Sequence, residues 1–123
     1  MHSRIKTLYL IHHSHTDIGY TDLQATVVYN HINNIRQAVA MIRSGIENDT
    51  PEKDFVWNCE TYYCVERCLE AASEEEKQQF FDLVRRGSIG LSANYLNFND
   101  LADRDALARR TAAMQKTCTA YGA

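Results

Sequence analysis

An apolar run near the start of the sequence, "IKTLYLI" at positions 5–11, places the strongest constraint on the fold. A strand with one exposed face alternates apolar and polar residues, whereas this run is nearly continuous in apolar and β-favouring residues. Such a run is typical of a strand that is buried on both faces of a parallel sheet. We therefore expect residues 5–11 to be the first strand of an α/β fold.

The rest of the sequence alternates helical and strand patterns. Apolar residues recur at intervals of four and three between positions 28 and 46, which predicts an amphipathic helix at 22–46, opened by a capping box of Thr21 and Gln24. Beyond a turn at Pro51 we predict two more strands, "DFVWN" (54–58) and "SIGLS" (88–92). Between them we predict a helix at 62–72 and a second helix that a capping box of Ser73 and Glu76 opens and Gly87 ends. A last helix is expected to start at Asp103 or Asp105, with Leu107, Met114 and Cys118 on its inner face. The predicted fold class is α/β, a parallel sheet with alternating helices.

Size, charge and cysteine spacing limit the functional classes. The 123 residues suffice for a single domain, and a formal net charge of −3 without a basic cluster argues against nucleic acid as a partner. No apolar run could span a bilayer and no secretory signal is recognisable, so we expect no membrane association and a cytoplasmic location. The four cysteines match no usual zinc or redox spacing and are expected to be reduced thiols.

Side chains that commonly bind metals follow the first predicted strand directly. Residues two apart in an extended chain point the same way, so we expect His13, His15 and Asp17 on one face and His12 on the other. Sites in α/β folds lie at the carboxyl ends of strands, where this cluster falls. Imidazole and carboxylate are common zinc ligands, so we favour a metal site over a turn that only caps the strand or faces solvent.

The same residues resemble a known enzyme family. "HHSHTDIGYTDLQ" (12–24) resembles the first motif of the glycoside hydrolase family 38 α-mannosidases, H-S-H-x-D-x-G followed by an aromatic residue. "FVWNCETYY", with Trp57 and Glu60, resembles the family's second strand, and "FFDLVRRGSIGLSANYLNFNDL" resembles the following helix and third strand. The resemblance covers nearly the whole chain from residue 5.

The resemblance implies a fold, a reaction and residue roles. The fold would be part of the seven-stranded β/α barrel of the glycoside hydrolase/deacetylase type, with Zn²⁺ in the floor of the sugar subsite. The reaction would be hydrolysis of α-mannosides with retention, through a covalent glycosyl-enzyme. By position, His15 and Asp17 match two zinc ligands of the family. Tyr20 matches an aromatic residue that stacks on the sugar. His13 would contact the ligand residues without binding the metal itself. Glu60 is expected to be structural.

Two parts of the family's site have no match in this sequence. The nucleophilic aspartate of an A-x-D-x-F-G-type motif and a later zinc-binding histidine are both missing. Asp100, Asp103 and Asp105 fit helix caps better than a catalytic carboxylate pair. We therefore expect the chain to be the N-terminal portion of such an enzyme, with an α-mannoside as substrate when complete, and to be inactive by itself.

Two other functions stay open at this point. One is another metal-dependent hydrolase, of the phosphoesterase or amidohydrolase type, although His31 is the sole histidine downstream of the motif. The other is a sugar-binding or metal-binding module without catalysis. We also expect a homo-oligomer, because three parallel strands cannot close a barrel and leave an edge that can pair with another chain.

Overall fold

The computed structural model describes residues 4–97 and 103–123. Within these ranges the chain forms four α-helices, one short 3-10 helix and two short strands. In chain order they are α1 (Gln24–Asn48), the 3-10 helix (Pro51–Asp54), β1 (Trp57–Cys59), α2 (Tyr62–Glu70), α3 (Glu74–Arg86), β2 (Ile89–Leu91) and α4 (Arg104–Ala120).

Helix α1 is the long amphipathic helix that the apolar periodicity predicted, shifted from 22–46 to Gln24–Asn48. Its buried residues recur at helical spacing and are Val27, His31, Ile35, Ala38, Ile42 and Gly45. This face packs on the 3-10 helix and on α2, so local periodicity and tertiary burial agree here. None of the helices within 4–97 and 103–123 has the length and apolar character that crossing a bilayer requires.

The capping box predicted at the start of α1 does not form. The N-cap residue is Leu23, and no side chain caps the helix. Instead, the carboxylate of Asp22 accepts a hydrogen bond from the backbone N–H of Leu23 at 2.6 Å. The spacing of Thr21 and Gln24 was therefore a wrong signal for this end of the helix.

Helix α3 carries the predicted signals at both ends. Ser73 Oγ accepts a hydrogen bond from the backbone N–H of Glu76 at 3.2 Å, and the Glu76 carboxylate accepts one from the N–H of Ser73 at 2.7 Å. Gly87 ends the helix with φ at 83°, a left-handed conformation that favours glycine. The prediction of a helix between Ser73 and Gly87 is confirmed.

The core lies between the first three α-helices and the two strands. Its most deeply buried apolar side chains are Phe81, Ile42 and Val65, each 0% exposed, and Ile89, which is 2% exposed. Helix α4 contributes no fully buried residue and attaches along one side. The residue after it, Tyr121, stacks on Phe81 with 4.5 Å between ring centroids, which holds the end of α4 against the core.

Strands β1 and β2 pair in parallel, as predicted, with Trp57 opposite Ile89 and Cys59 opposite Leu91. The chain reaches β2 from β1 through α2 and α3, so the connection is the expected crossover of a parallel pair. Each strand has three residues, fewer than the five predicted at 54–58 and 88–92. The sheet is correspondingly small.

The fold class predicted from the sequence is wrong. The structure is mostly helical (59%) and its sheet has two strands, so it is not a partial seven-stranded β/α barrel of the glycoside hydrolase/deacetylase type. The first predicted strand, 5–11, has no regular secondary structure and belongs to no sheet, and Leu8, Tyr9, Leu10 and Ile11 are 69% to 83% exposed. A strand buried on both faces needs covering layers along its length, and the exposure of residues 8–11 shows that the described residues do not cover them.

Candidate functional site

The turn that carries the histidines is anchored to strand β1. The backbone N–H of Asn58 donates a hydrogen bond to the carbonyl oxygen of His12 at 2.9 Å, and His13 forms an isolated parallel bridge with Asn58. The ring of His12 also lies 5.1 Å from the ring of Phe55. Because the pairing is parallel, the residues after His13 lie beside the residues that leave the carboxyl end of β1.

Glu60 holds this turn with both oxygens of its carboxylate. Its Oε1 lies 2.9 Å from Nδ1 of His15, and its Oε2 accepts a hydrogen bond from the backbone N–H of Thr16. An ionised carboxylate only accepts hydrogen bonds, so Nδ1 of His15 carries the proton. Nε2 of His15 makes no hydrogen bond to the residues that the structure describes, and it remains able to contact a ligand.

Two buried threonines stabilise the same turn. Thr16 is 7% exposed and Thr61 is 1% exposed, and the hydroxyl of Thr61 donates to that of Thr16 at 3.3 Å. Buried hydroxyls of this kind are costly unless they are hydrogen-bonded, so the contact fixes where the turn meets the start of α2. The position of His15 is therefore set by neighbours on both sides.

The contact between Glu60 and His15 shifts the pKa of each group. The hydrogen bond to Glu60 and its negative charge raise the pKa of His15 above its usual value. Burial alone would raise the pKa of Glu60, but hydrogen bonds from His15 and Thr16 lower it below its usual value. Binding of a cation at Nε2 of His15 therefore competes with protonation of that nitrogen.

His15 and Asp17 line the same open pocket, with a volume of about 450 Å³. The turn and the loop after it form one wall, and the first half of α1 forms the other. Asn34 Nδ2 donates a hydrogen bond to Ser14 Oγ at 3.2 Å, which ties the two walls together. The remaining lining residues are Thr21, Asp22, Val27, Asn30 and His31.

The donor set that a zinc ion needs is incomplete in the described part of the chain. Residues 4–97 and 103–123 contain no group of three or more His, Cys, Asp or Glu side chains placed to hold a metal ion. Catalytic zinc sites use three protein ligands. His15 and Asp17 fit two of these positions by chemistry, and further donors would have to come from outside the described residues.

The other predicted site residues lie outside this pocket. His13 lines a separate pocket at the end of the sheet, together with Cys59 and Ser92. Tyr20 is 96% exposed and lines neither pocket. His13, His15 and Asp17 were expected on one face. The structure places His15 and Asp17 in one pocket and His13 in another.

Of the downstream aspartates that the structure describes, Asp103 is the helix cap that the sequence suggested and Asp105 is not. Asp103 is the N-cap of α4, and its carboxylate accepts a hydrogen bond from the N–H of Ala106 at 2.7 Å. Asp105 is exposed in the first turn of that helix. Asp100 lies outside the described residues.

His31 is a pocket residue that sequence reasoning missed. It lies on the buried face of α1, four residues after Val27 and four before Ile35, and is 8% exposed. Burial lowers the pKa of its imidazole below the usual value, so the ring is neutral at neutral pH. A polar residue inside an otherwise apolar helical stripe was the signal that could have identified it.

No protein family model, curated protein sequence or solved structure matches this chain. The likeness to family 38 α-mannosidases therefore depends on the motif residues themselves.

Proposed function

We propose that this chain is part of a zinc-dependent, retaining α-mannosidase-like glycoside hydrolase in which His15 and Asp17 bind the metal. The observation that carries the proposal is the 2.9 Å contact between Nδ1 of His15 and the carboxylate of Glu60. Histidines that bind metals commonly donate their other ring N–H to a carboxylate, which fixes the tautomer and the direction of the ring. Glu60 is in position to do this for His15.

The pocket supports a sugar as the molecule that the site receives. Its walls carry carboxylate, amide, hydroxyl and imidazole groups, which can hydrogen-bond to sugar hydroxyls. Its volume of about 450 Å³ is in the range of small-molecule sites. Tyr20 follows the turn with its ring exposed, so it is available to stack on a sugar ring.

The proposal assigns no catalytic residue to this chain. Retaining hydrolysis needs a carboxylate nucleophile and a carboxylic acid on either side of the scissile bond, about 5 Å apart. Asp103, the cap of α4, is already used by a backbone N–H. We therefore propose that the nucleophile and the remaining metal donors are not supplied by the described residues, and that the isolated chain does not turn over substrate.

The proposed compartment is the cytoplasm. Cys59, Cys64 and Cys68 are buried free thiols, and Cys118 is a half-buried one. Burial raises the pKa of the Cys59 thiol to about 12, so this group stays protonated and unreactive. Such thiols suit a reducing environment.

Zinc titration calorimetry on the full 123-residue chain tests the proposal. We expect weak zinc binding that His15→Ala and Asp17→Asn each abolish, because each removes one of two ligands. His12→Ala is the matched control, since its ring packs on Phe55 away from the pocket and should leave zinc affinity unchanged. Tight binding that survives both pocket substitutions would refute the assignment.

Sugar binding without turnover is the second candidate, and the incomplete donor set favours it. An assay with an aryl α-mannoside tests whether this chain has any turnover. Hydrolysis that Asp17→Asn abolishes would show that this chain supplies the missing carboxylate itself. Binding without hydrolysis, in a sample that also binds zinc, agrees with both a module and an incomplete enzyme, and adding the missing segment of a complete enzyme would distinguish them.

A further inference from the structure

A buried imidazole without a hydrogen-bond partner faces the pocket of His15 and Asp17. His31 is 8% exposed and lines this pocket from helix α1. It makes no hydrogen bond to any residue that the structure describes, although buried polar side chains usually have such a partner. Its ring nitrogens are not among the fully buried polar atoms without a partner in the described part of the chain, so they are accessible to a molecule that enters the pocket.

The groups around His31 indicate which kind of molecule this is. Asn30 precedes it on the same wall, and Asp17 and His15 lie on the opposite wall. A neutral imidazole offers one donor and one acceptor, and an amide also offers both, so the wall on α1 matches hydroxyl groups, which donate and accept in the same way. A polyhydroxylated neutral ligand fits this pattern better than an anion, because the opposite wall carries a carboxylate.

A metal ion is a poorer match for His31 than a hydroxyl group. As a third metal ligand, His31 would have to lie close to His15 and Asp17, and the described residues form no such cluster of three. A bound sugar, in contrast, can span the distance between the two walls of a pocket of about 450 Å³.

We propose that His31 is a sugar-contacting residue, whose imidazole forms a hydrogen bond with a hydroxyl group of a monosaccharide held between α1 and the turn of His15 and Asp17. This inference rests on the proposed function, because the identity of the ligand as a sugar comes from that proposal. It adds a specificity-determining residue on a helix that the motif does not include.

The first test observes His31 directly in the wild-type chain. Long-range ¹H–¹⁵N spectra of the histidine rings are recorded while methyl α-mannopyranoside is added, with zinc and without. We expect the ring nitrogens of His31 to shift in step with sugar binding, and those of His12 to stay in place. Sugar binding that leaves the His31 signals unmoved, or no sugar binding at all, would overturn the inference.

The second test compares variants in sugar and zinc affinity. His31→Ala should lower sugar affinity about tenfold, the effect of one hydrogen bond, and His31→Gln should restore part of it. Asn33→Ala is the matched control on the same helix, and circular dichroism checks that each variant folds. If His31→Ala destabilises the chain, the His31→Gln comparison and the wild-type spectra still decide.

The zinc titration keeps this inference separate from the proposed function. Unchanged sugar affinity in His31→Ala, with zinc binding still dependent on His15, would refute the role of His31 and leave the proposed function intact. Loss of zinc binding in His31→Ala would make His31 a metal ligand and overturn the inference. Zinc binding independent of His15 and Asp17 would refute the proposed function, whatever His31 does.

Discussion

Among single residues, Glu60 determines the geometry of the candidate site. It lies 45 positions after His15 in sequence, yet its carboxylate contacts both the His15 ring and the backbone of Thr16. The hydrogen bonds of Thr16 to Thr61 and of Ser14 to Asn34 hold the same turn, but Glu60 is the residue that contacts the His15 ring. Glu60 was expected to be structural. Its contacts agree with such a role, because they hold the ring of His15, a proposed metal ligand, in place.

Replacing Glu60 by Gln should lower the pKa of His15. The raised pKa of His15 has the hydrogen bond and charge of Glu60 as its two largest causes, and Gln removes the charge while keeping the shape. Because the folded-state pKa is raised, the contact stabilises the fold below the unfolded pKa, and this contribution is lost as pH rises through the folded pKa.

NMR titration of the histidine rings measures this change. Glu75→Gln is the control, since in the described part of the chain the Glu75 carboxylate accepts a hydrogen bond from Gln79 within α3 and none from a histidine. An unchanged pKa of His15 in Glu60→Gln would mean that the contact is absent in solution.

At the level of elements, the packing of α1 on the 3-10 helix depends on Gly45. A Cβ at this position would collide with the backbone nitrogen of Lys53 and lie 2.7 Å from the carbonyl carbon of Glu52. Glycine inside a helix normally costs about 1 kcal/mol relative to alanine. Its presence here is explained by the close approach of the two backbones.

Gly45→Ala should therefore destabilise the chain, although alanine has the higher helix propensity. Overpacking against backbone that cannot move away costs about 1–3 kcal/mol, which exceeds the gain of about 1 kcal/mol in propensity. Urea unfolding measures the difference. Gln37→Ala, at an exposed position of the same helix, should change stability by less than about 0.5 kcal/mol. A stabilised Gly45→Ala variant would show that α1 and the 3-10 helix are not in close contact.

The start of α3 provides a second prediction at this scale. Ser73→Ala should lower the free energy of unfolding by about 1 kcal/mol, because it removes the cap of a backbone N–H. Glu76→Ala should also destabilise the chain at pH 7, since the bond from Ser73 N–H lowers the pKa of Glu76.

The direction of the shift in the Glu76 pKa determines how the effect of Glu76→Ala depends on pH. A lowered carboxyl pKa contributes stability that is present above the unfolded pKa and lost as pH falls through the folded pKa. The difference in the free energy of unfolding between wild type and Glu76→Ala should therefore become smaller at acidic pH. Glu75→Ala, in the same first turn, is the control, and a pH-independent gap for Glu76 would contradict the assignment.

At the scale of the whole molecule, the segment before the turn leaves apolar surface uncovered. Leu8, Tyr9, Leu10 and Ile11 are 69% to 83% exposed, which is unusual for four consecutive large apolar side chains. An exposed apolar segment rich in β-favouring residues can pair with a strand of another chain. The homo-oligomer expected from the sequence stays a prediction, and this segment is where we expect two copies to meet.

Sedimentation equilibrium at micromolar concentration tests this self-association. We expect a dimer or larger species for the wild type and a shift toward the 14.1 kDa monomer for Leu10→Lys, because a buried charge opposes association. Leu23→Lys places the same charge at another exposed leucine and should leave the oligomer intact. A wild-type monomer that binds no hydrophobic dye would refute the prediction.

The sequence alone determined the elements whose signals are local. The spacing of apolar residues predicted α1 within two residues at each end, and Ser73, Glu76 and Gly87 predicted the limits of α3. These predictions succeed because a helix is specified by contacts between residues three and four apart, together with capping groups of the same segment. The parallel pairing of β1 and β2 followed from the helices between them.

Only the tertiary structure decided the state of the first predicted strand and the composition of the pocket. The run at 5–11 has the composition of a buried strand, but burial depends on partners distant in sequence, which the described residues do not provide. Likewise, Glu60 reaches His15 and His31 enters the pocket only because β1 and α1 pack beside the turn. Long-range contacts of this kind have no periodic signature in the sequence, so a local pattern can propose the ligands but not the residues that surround them.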